Sequence, residues 1–231
     1  INILQSKLDA KGFPSEIENQ IPLVLADFYI KQEKYSEAYP YLERSLELNK
    51  EKYIVTRAEF ILGQINQMEG DIETATEYYQ SVVKRNPDYV MAFEAKMNMA
   101  ETYVSQSGDS KEINKILNKM LKEARNLEFQ DQIYYALAEV AIKDDIDTLA
   151  ISYLRKSVSS STNNNAQKTK SSLKVADMFF EDANYNLAQA YYDTAVISLP
   201  KDYPNYDEIN RKATTLSNLV VQSRIIFEQD S

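Results

Sequence analysis

The sequence predicts an all-helical, right-handed superhelical solenoid of about five helix pairs, with an N-terminal half-repeat and a C-terminal capping helix. Three observations predict it. Gly and Pro are scarce, 4 and 6 in 231 residues, against 44% hydrophobic and 26% charged residues, a composition that favours helix over turn and strand. A small residue recurs at an almost constant interval, at Ala26, Gly63, Ala100, Ala138 and Ala176, as stacked repeats require. Large apolar residues keep step with it at helical spacing.

The columns define two helices in each repeat. Before the small residue stand Leu25, Leu62, Met99, Leu137 and Val175, and three positions after it Tyr29, Asn66, Tyr103, Ala141 and Phe179, with Asn66 the polar break. A second marker follows each small residue at a fixed distance, at Ala38, Ala75, Glu112, Ala150 and Ala188, and one turn further on come Leu42, Tyr79, Ile116, Leu154 and Tyr192. Small residues facing large ones let paired helices approach closely, and neither helix can bury its apolar stripe without its neighbours. Turns are expected at Gln32-Glu33-Lys34, Glu69-Gly70-Asp71, Lys143-Asp144-Asp145 and Asp182-Ala183-Asn184, and Pro87 and Pro200 close the second helices of their repeats.

These marks place one solenoid domain over residues 1–231, with repeats near 18–50, 54–88, 92–124, 130–160 and 168–200. Ile1, Leu4 and Leu8, ended by Gly12 and Pro14, fit the second helix of a preceding repeat. A helix over 205–229, with Ile209, Ala213, Leu216, Val220 and Phe227 on one face, fits a cap on the last repeat. The Ser- and Asn-rich stretch Ser157–Lys170 is expected to be a mobile loop.

Composition excludes much chemistry. The chain has no His and no Cys, which removes thiolate nucleophiles, imidazole bases, disulfides and the usual nitrogen and sulfur zinc ligands. A net charge of -9 disfavours a nucleic-acid phosphate backbone. No Gly-rich phosphate loop, nucleophile elbow or calcium loop occurs. The carboxylate pairs Asp144-Asp145 and Asp71-Glu73 fall in turns, where Asp caps helices. No catalytic residue, metal or cofactor is expected. Ile1 to Ala10 is interrupted by Asn2, Gln5, Lys7 and Asp9 and so resembles neither a signal peptide nor a membrane span. With no initiator Met, the chain is expected to be a fragment of a longer protein.

One stripe of the first helices carries the candidate site. Residues three before, one after and four after the small residue share a helix face, the face that would line a concave groove. Its middle column reads Asp27, Gln64, Glu101, Glu139 and Asp177; its edges read Leu23, Phe60, Met97, Tyr135, Leu173 and Ile30, Gln67, Val104, Ile142, Phe180. Two arrangements fit. The acids can form an open ladder edged by apolar side chains, suited to a protein segment bearing Lys or Arg among hydrophobics. Alternatively they pair with Lys or Arg of adjacent helices, and the apolar columns are buried between repeats. The tyrosines Tyr29, Tyr79, Tyr103 and Tyr192 fall in core columns and are expected to pack there rather than form a sugar platform.

The repeat resembles the tetratricopeptide repeat, most closely over Gln64-Ile65-Asn66-Gln67-Met68-Glu69-Gly70-Asp71 through Asn86-Pro87. It departs from that family in its longer period, in Asn66, and in lacking prolines after the first, third and fourth repeats. The resemblance implies a non-catalytic protein-binding scaffold. That family's clamp for acidic chain termini uses Lys and Asn in the groove, and the acidic stripe here does not match it. Residues 185–231, with Ala190-Tyr191-Tyr192-Asp193-Thr194-Ala195, Leu199-Pro200-Lys201-Asp202-Tyr203-Pro204-Asn205-Tyr206 and Leu216-Ser217-Asn218-Leu219-Val220, resemble the PorW/SprE lipoprotein family of Bacteroidetes. That resemblance implies a lipid-anchored component on the periplasmic face of the outer membrane, linking parts of the type IX secretion and gliding apparatus. Two alternatives are a glycan-binding outer-membrane lipoprotein with helical repeats and an adaptor of an unrelated pathway.

Overall fold

The computed structural model describes residues 15–105 and 109–229. The half-repeat expected from Ile1, Leu4 and Leu8 lies outside them, as does the side chain of Phe227. A short helix α1 (Ser15–Glu18) precedes the helix pairs α2 (Ile21–Ile30) and α3 (Tyr35–Leu48), and α4 (Lys52–Glu69) and α5 (Ile72–Lys84). Then come α6 (Tyr89–Ser105), α7 (Lys111–Lys122), a 3-10 segment (Ala124–Phe129), and the pairs α8 (Gln130–Lys143) with α9 (Asp147–Ser160) and α10 (Asn165–Glu181) with α11 (Tyr185–Ser198). The last helix is α12 (Tyr206–Gln229). No strand occurs among the described residues.

The chain divides into two compact units, Ile1–Gly108 and Asp109–Ser231. The boundary falls inside the third expected repeat, whose first helix α6 belongs to unit 1 and whose second helix α7 belongs to unit 2. Each unit has its own apolar core. In unit 1, Ala26 and Leu42 of the first pair meet Ala58, Leu62 and Ile65 of α4. In unit 2, Ala138 and Leu154 meet Val175 of α10, and Ala176, Ala188 and Tyr192 meet Ala213, Leu216 and Val220 of α12. The rule is the same each time: the small residue and the large second-helix residue of one pair close on the column residue of the next first helix.

Four turns repeat one hydrogen-bonding scheme. Lys34, Asp71, Ile146 and Asn184 donate their backbone N–H to the carbonyls of Tyr29, Asn66, Ala141 and Phe179, at 2.8 to 3.0 Å. These acceptors are the column three after the small residue, so that column ends the first helix as well as packing it. The residue just before each donor has positive φ: Glu33 (59°), Gly70 (85°), Asp145 (58°) and Ala183 (55°). Only Gly70 takes this left-handed conformation without strain from a Cβ. Asn66 is 4% exposed and tolerated because its amide donates to the Leu62 carbonyl at 2.7 Å.

Two expectations are corrected. In α7 the buried residues are Ile113, Leu117 and Met120, whereas Glu112 is exposed and Ile116 half-buried. The second marker of that repeat is therefore Ile113, one position later, because the inserted Ser107-Gly108-Asp109-Ser110 lengthens the connection. The stretch Ser157–Lys170 is not a loop: α9 continues to Ser160 and α10 starts at Asn165. Of its short polar side chains, Ser157, Ser161 and Thr169 are buried and hydrogen-bonded. The Ser157 hydroxyl donates to the Asp131 carbonyl at 2.6 Å and shares a 2.7 Å contact with Ser171, and the Ser161 hydroxyl donates to the buried Asp131 carboxylate at 3.0 Å. Ser and Thr here let α8, α9 and α10 approach closely while satisfying one another.

Candidate functional site

The stripe is laid down by the first helices, so its register is fixed by the small residue that each helix buries. In unit 1 the middle column is open: Asp27, Gln64 and Glu101 are exposed, edged by half-buried Leu23, Phe60, Met97, Ile30, Gln67 and Val104. Among the described residues Asp27 pairs only with Lys31, on its own helix at 2.6 Å, and both side chains are mostly exposed. Glu101 accepts from the Gln67 amide at 3.2 Å, and Gln67 in turn accepts from the hydroxyl of Tyr79 at 2.7 Å. Tyr79 is thus a core residue, 0% exposed, whose hydroxyl reaches the stripe. Burial pushes its phenol up to about 12. Its ring lies against Gly63, where a Cβ would come within 2.7 Å of the ring. Glu94, one helical turn before Met97, faces the same way; burial and then the charge of Glu101 raise its carboxyl above the usual range.

In unit 2 the acids instead pair with lysines of adjacent helices. Glu139 and Asp177 are half-buried, edged by half-buried Tyr135, Leu173 and Ile142 and exposed Phe180. Each acid is covered by a lysine from the next first helix, with α12 taking that place after the last pair: Lys174 lies 3.3 Å from Glu139 and Lys212 lies 2.7 Å from Asp177. The Lys174 contact is an ion pair without a well-aligned hydrogen bond, because the facing Glu139 oxygen has no donor in line. Asp177 also accepts from the Tyr192 hydroxyl. Burial pushes that phenol up to about 12, helped by the hydrogen bond to Asp177. Burial pulls Lys212 down, but Asp177 and Tyr192 together outweigh it and the ammonium ends above its ordinary value. Lys170 sits 4.3 Å over the Tyr135 ring and Lys212 5.0 Å over Tyr192.

Beside the unit 1 stripe lies a cavity of about 300 Å³ between α2 and α4. Leu23 and Ile30 form one wall, Ile54 and Ile61 the other, over a floor of Ala26 and Ala58. Asp27 stands on the α2 side and Arg57, with Tyr53, on the α4 side. Sequence reasoning found Leu23, Asp27 and Ile30 but missed Tyr53, Ile54, Arg57 and Ile61, which lie on parts of α4 outside the three columns. It also missed Lys174 and Lys212, although the second stands a single period after the first. Among the described residues, no group of three or more carboxylates is placed to hold a metal, and no helix is long and apolar enough to cross a membrane.

No curated protein matches the chain. The tetratricopeptide repeat family model matches residues 23–52 and 57–89, the first two helix pairs. Among solved structures, the chain is similar to pilF of Pseudomonas aeruginosa, at 15% identity and a TM-score of 0.56, over 93% of this chain and 94% of that one. It is also similar to a thermophilic TPR protein of Thermus thermophilus, at 19% identity and a TM-score of 0.51, over 86% of this chain and 98% of that one. The fold is therefore that of the tetratricopeptide repeat proteins, and the repeats at residues 23–52 and 57–89 are tetratricopeptide repeats.

Proposed function

We propose that this chain is a non-catalytic scaffold that holds a protein segment along the first-helix stripe of unit 1. The observation that carries this reading is the open column of Asp27, Gln64 and Glu101 between apolar edges. Such a face offers hydrophobic burial for affinity and charge for register. In unit 2 the lysines already neutralise Glu139 and Asp177, so a basic segment would first have to displace them.

The resemblance of residues 185–231 to the PorW/SprE family supports a further step. In that reading the scaffold sits at the periplasmic face of the outer membrane and links parts of the type IX secretion and gliding apparatus. Envelope crosslinking followed by pull-down tests both levels. The wild-type chain is compared with Asp27→Lys and Glu101→Lys, two exposed changes that leave the unit 2 pairs intact. Loss of crosslinked partners in the variants is expected. Equal recovery of the same partners rules out the unit 1 stripe, partners unrelated to secretion rule out the apparatus, and retention of glycans alone rules out the scaffold.

A further inference from the structure

We infer that the cavity between α2 and α4 docks a single apolar side chain of a partner protein segment, flanked by a basic residue against Asp27 and an acidic residue against Arg57. This rests on the scaffold reading above and names the chemistry of the segment. At about 300 Å³, the space lies at the low end for small-molecule pockets and is large enough to take a whole Leu, Ile, Met or Phe side chain. Its walls are Leu23, Ile30, Ile54 and Ile61, and Tyr53 stands at the rim, 60% exposed.

The charges decide the orientation of the guest. Among the described residues Asp27 has only Lys31, one turn away on the same exposed helix face, a contact weak enough for an incoming cation to replace. Arg57 donates to the Tyr53 hydroxyl at 3.3 Å and forms no ion pair among the described residues. A negative group on one wall and a positive group on the other, with an apolar slot between, select one polarity of segment. In unit 2 the charges on the stripe are already covered by Lys174 and Lys212. A second copy of this chain could offer such a segment only through self-association, which is separately measurable.

The test is selection of a displayed random-peptide library on the protein and on the double variant Asp27→Lys/Arg57→Glu. Both positions are exposed, and unchanged helical circular dichroism and thermal midpoint establish that the variant folds. The wild type is expected to enrich peptides with one apolar residue between a basic and an acidic residue in fixed order, and the double variant to enrich the reverse order. Fluorescence anisotropy should show wild-type peptides binding the double variant at least tenfold more weakly. Peptides without charge polarity, or with undiminished affinity for the double variant, overturn the assignment. If such peptides instead lose affinity with Glu101→Lys, the scaffold reading stands and only the pocket falls. Enrichment of no peptide overturns the pocket, while the crosslinking experiment still judges the scaffold. Sedimentation showing a dimer that the double variant dissolves assigns the cavity to a second copy and also overturns the proposal.

Discussion

Gly63 and Tyr79 show how one column position is decided by another residue. The Tyr79 ring is fully buried and cannot retreat from a Cβ placed 2.7 Å away. Gly63→Ala is therefore expected to cost about 1–3 kcal/mol through overpacking, reduced by about 1 kcal/mol through the better helix propensity of Ala. The penalty should shrink in a Tyr79→Leu background, as the Ala26 and Leu42 pairing suggests; a urea-denaturation double-mutant cycle measures the coupling. Glu94 offers the opposite sign. Its raised carboxyl means that the folded chain holds the proton more tightly than the unfolded one, so its favourable contribution is present at acid pH and lost as pH rises through the folded value. Glu94→Gln should raise stability at neutral pH, seen as a higher thermal midpoint, by less than about 0.5 kcal/mol because the side chain is exposed to screening solvent. The small-residue column was legible from spacing alone. That Gly rather than Ala stands at 63 was not, because the cause is a ring on the following helix.

At the scale of elements, the repeated turn is the most uniform device in the chain. Ala183 occupies with φ of 55° the position that Gly70 holds at 85°, a conformation costing about 1–2 kcal/mol for a residue with a Cβ. Ala183→Gly is expected to stabilise unit 2 by about 1 kcal/mol or less, since Gly also loses more freedom on folding; differential scanning calorimetry reads the change. The helix pairs and these turns were readable because apolar period and turn chemistry agree. Residues 157–170 were misread because Ser, Thr and Asn in sequence look like a loop. Only the packing of α8, α9 and α10 shows that Ser157, Ser161 and Ser171 find one another. Ser157→Ala should lower stability by about 1–3 kcal/mol, since it strips a donor from the buried Asp131 carbonyl.

At the scale of the whole molecule, alkaline pH acts on both units in the same direction. Tyr79 and Tyr192 are each pushed up to about 12 from 10.0. Their contribution is complete below pH 10 and declines from there to about 12, where the unfolded chain has lost protons that the folded chain keeps. Lys212, also raised, adds to the loss in the same sense. Urea midpoints should fall across that window, and Tyr79→Phe with Tyr192→Phe should flatten the fall. The fold was legible in the sequence because the small-residue column holds in all five repeats and the second marker in four of them, Ile113 being the shifted one. The site was only half legible, because the stripe recurs at a fixed spacing in sequence while Lys174 and Lys212, which cover it in unit 2, come from neighbouring helices.

The pairing of Lys174 with Glu139 and of Lys212 with Asp177 makes the repeats of unit 2 unequal as building blocks. Lys174 and Asp177 share α10, which therefore carries an acid for itself and a base for the helix before it. Excising the pair α10 and α11 removes Lys174 and Asp177 together, and the Glu139 and Lys212 left behind then stand at the spacing that Glu139 and Lys174 had, placed to pair with each other. Transplanted alone, the same pair carries Lys174 and Asp177 both without their partners, so its new setting must offer an acid before it and a base after it.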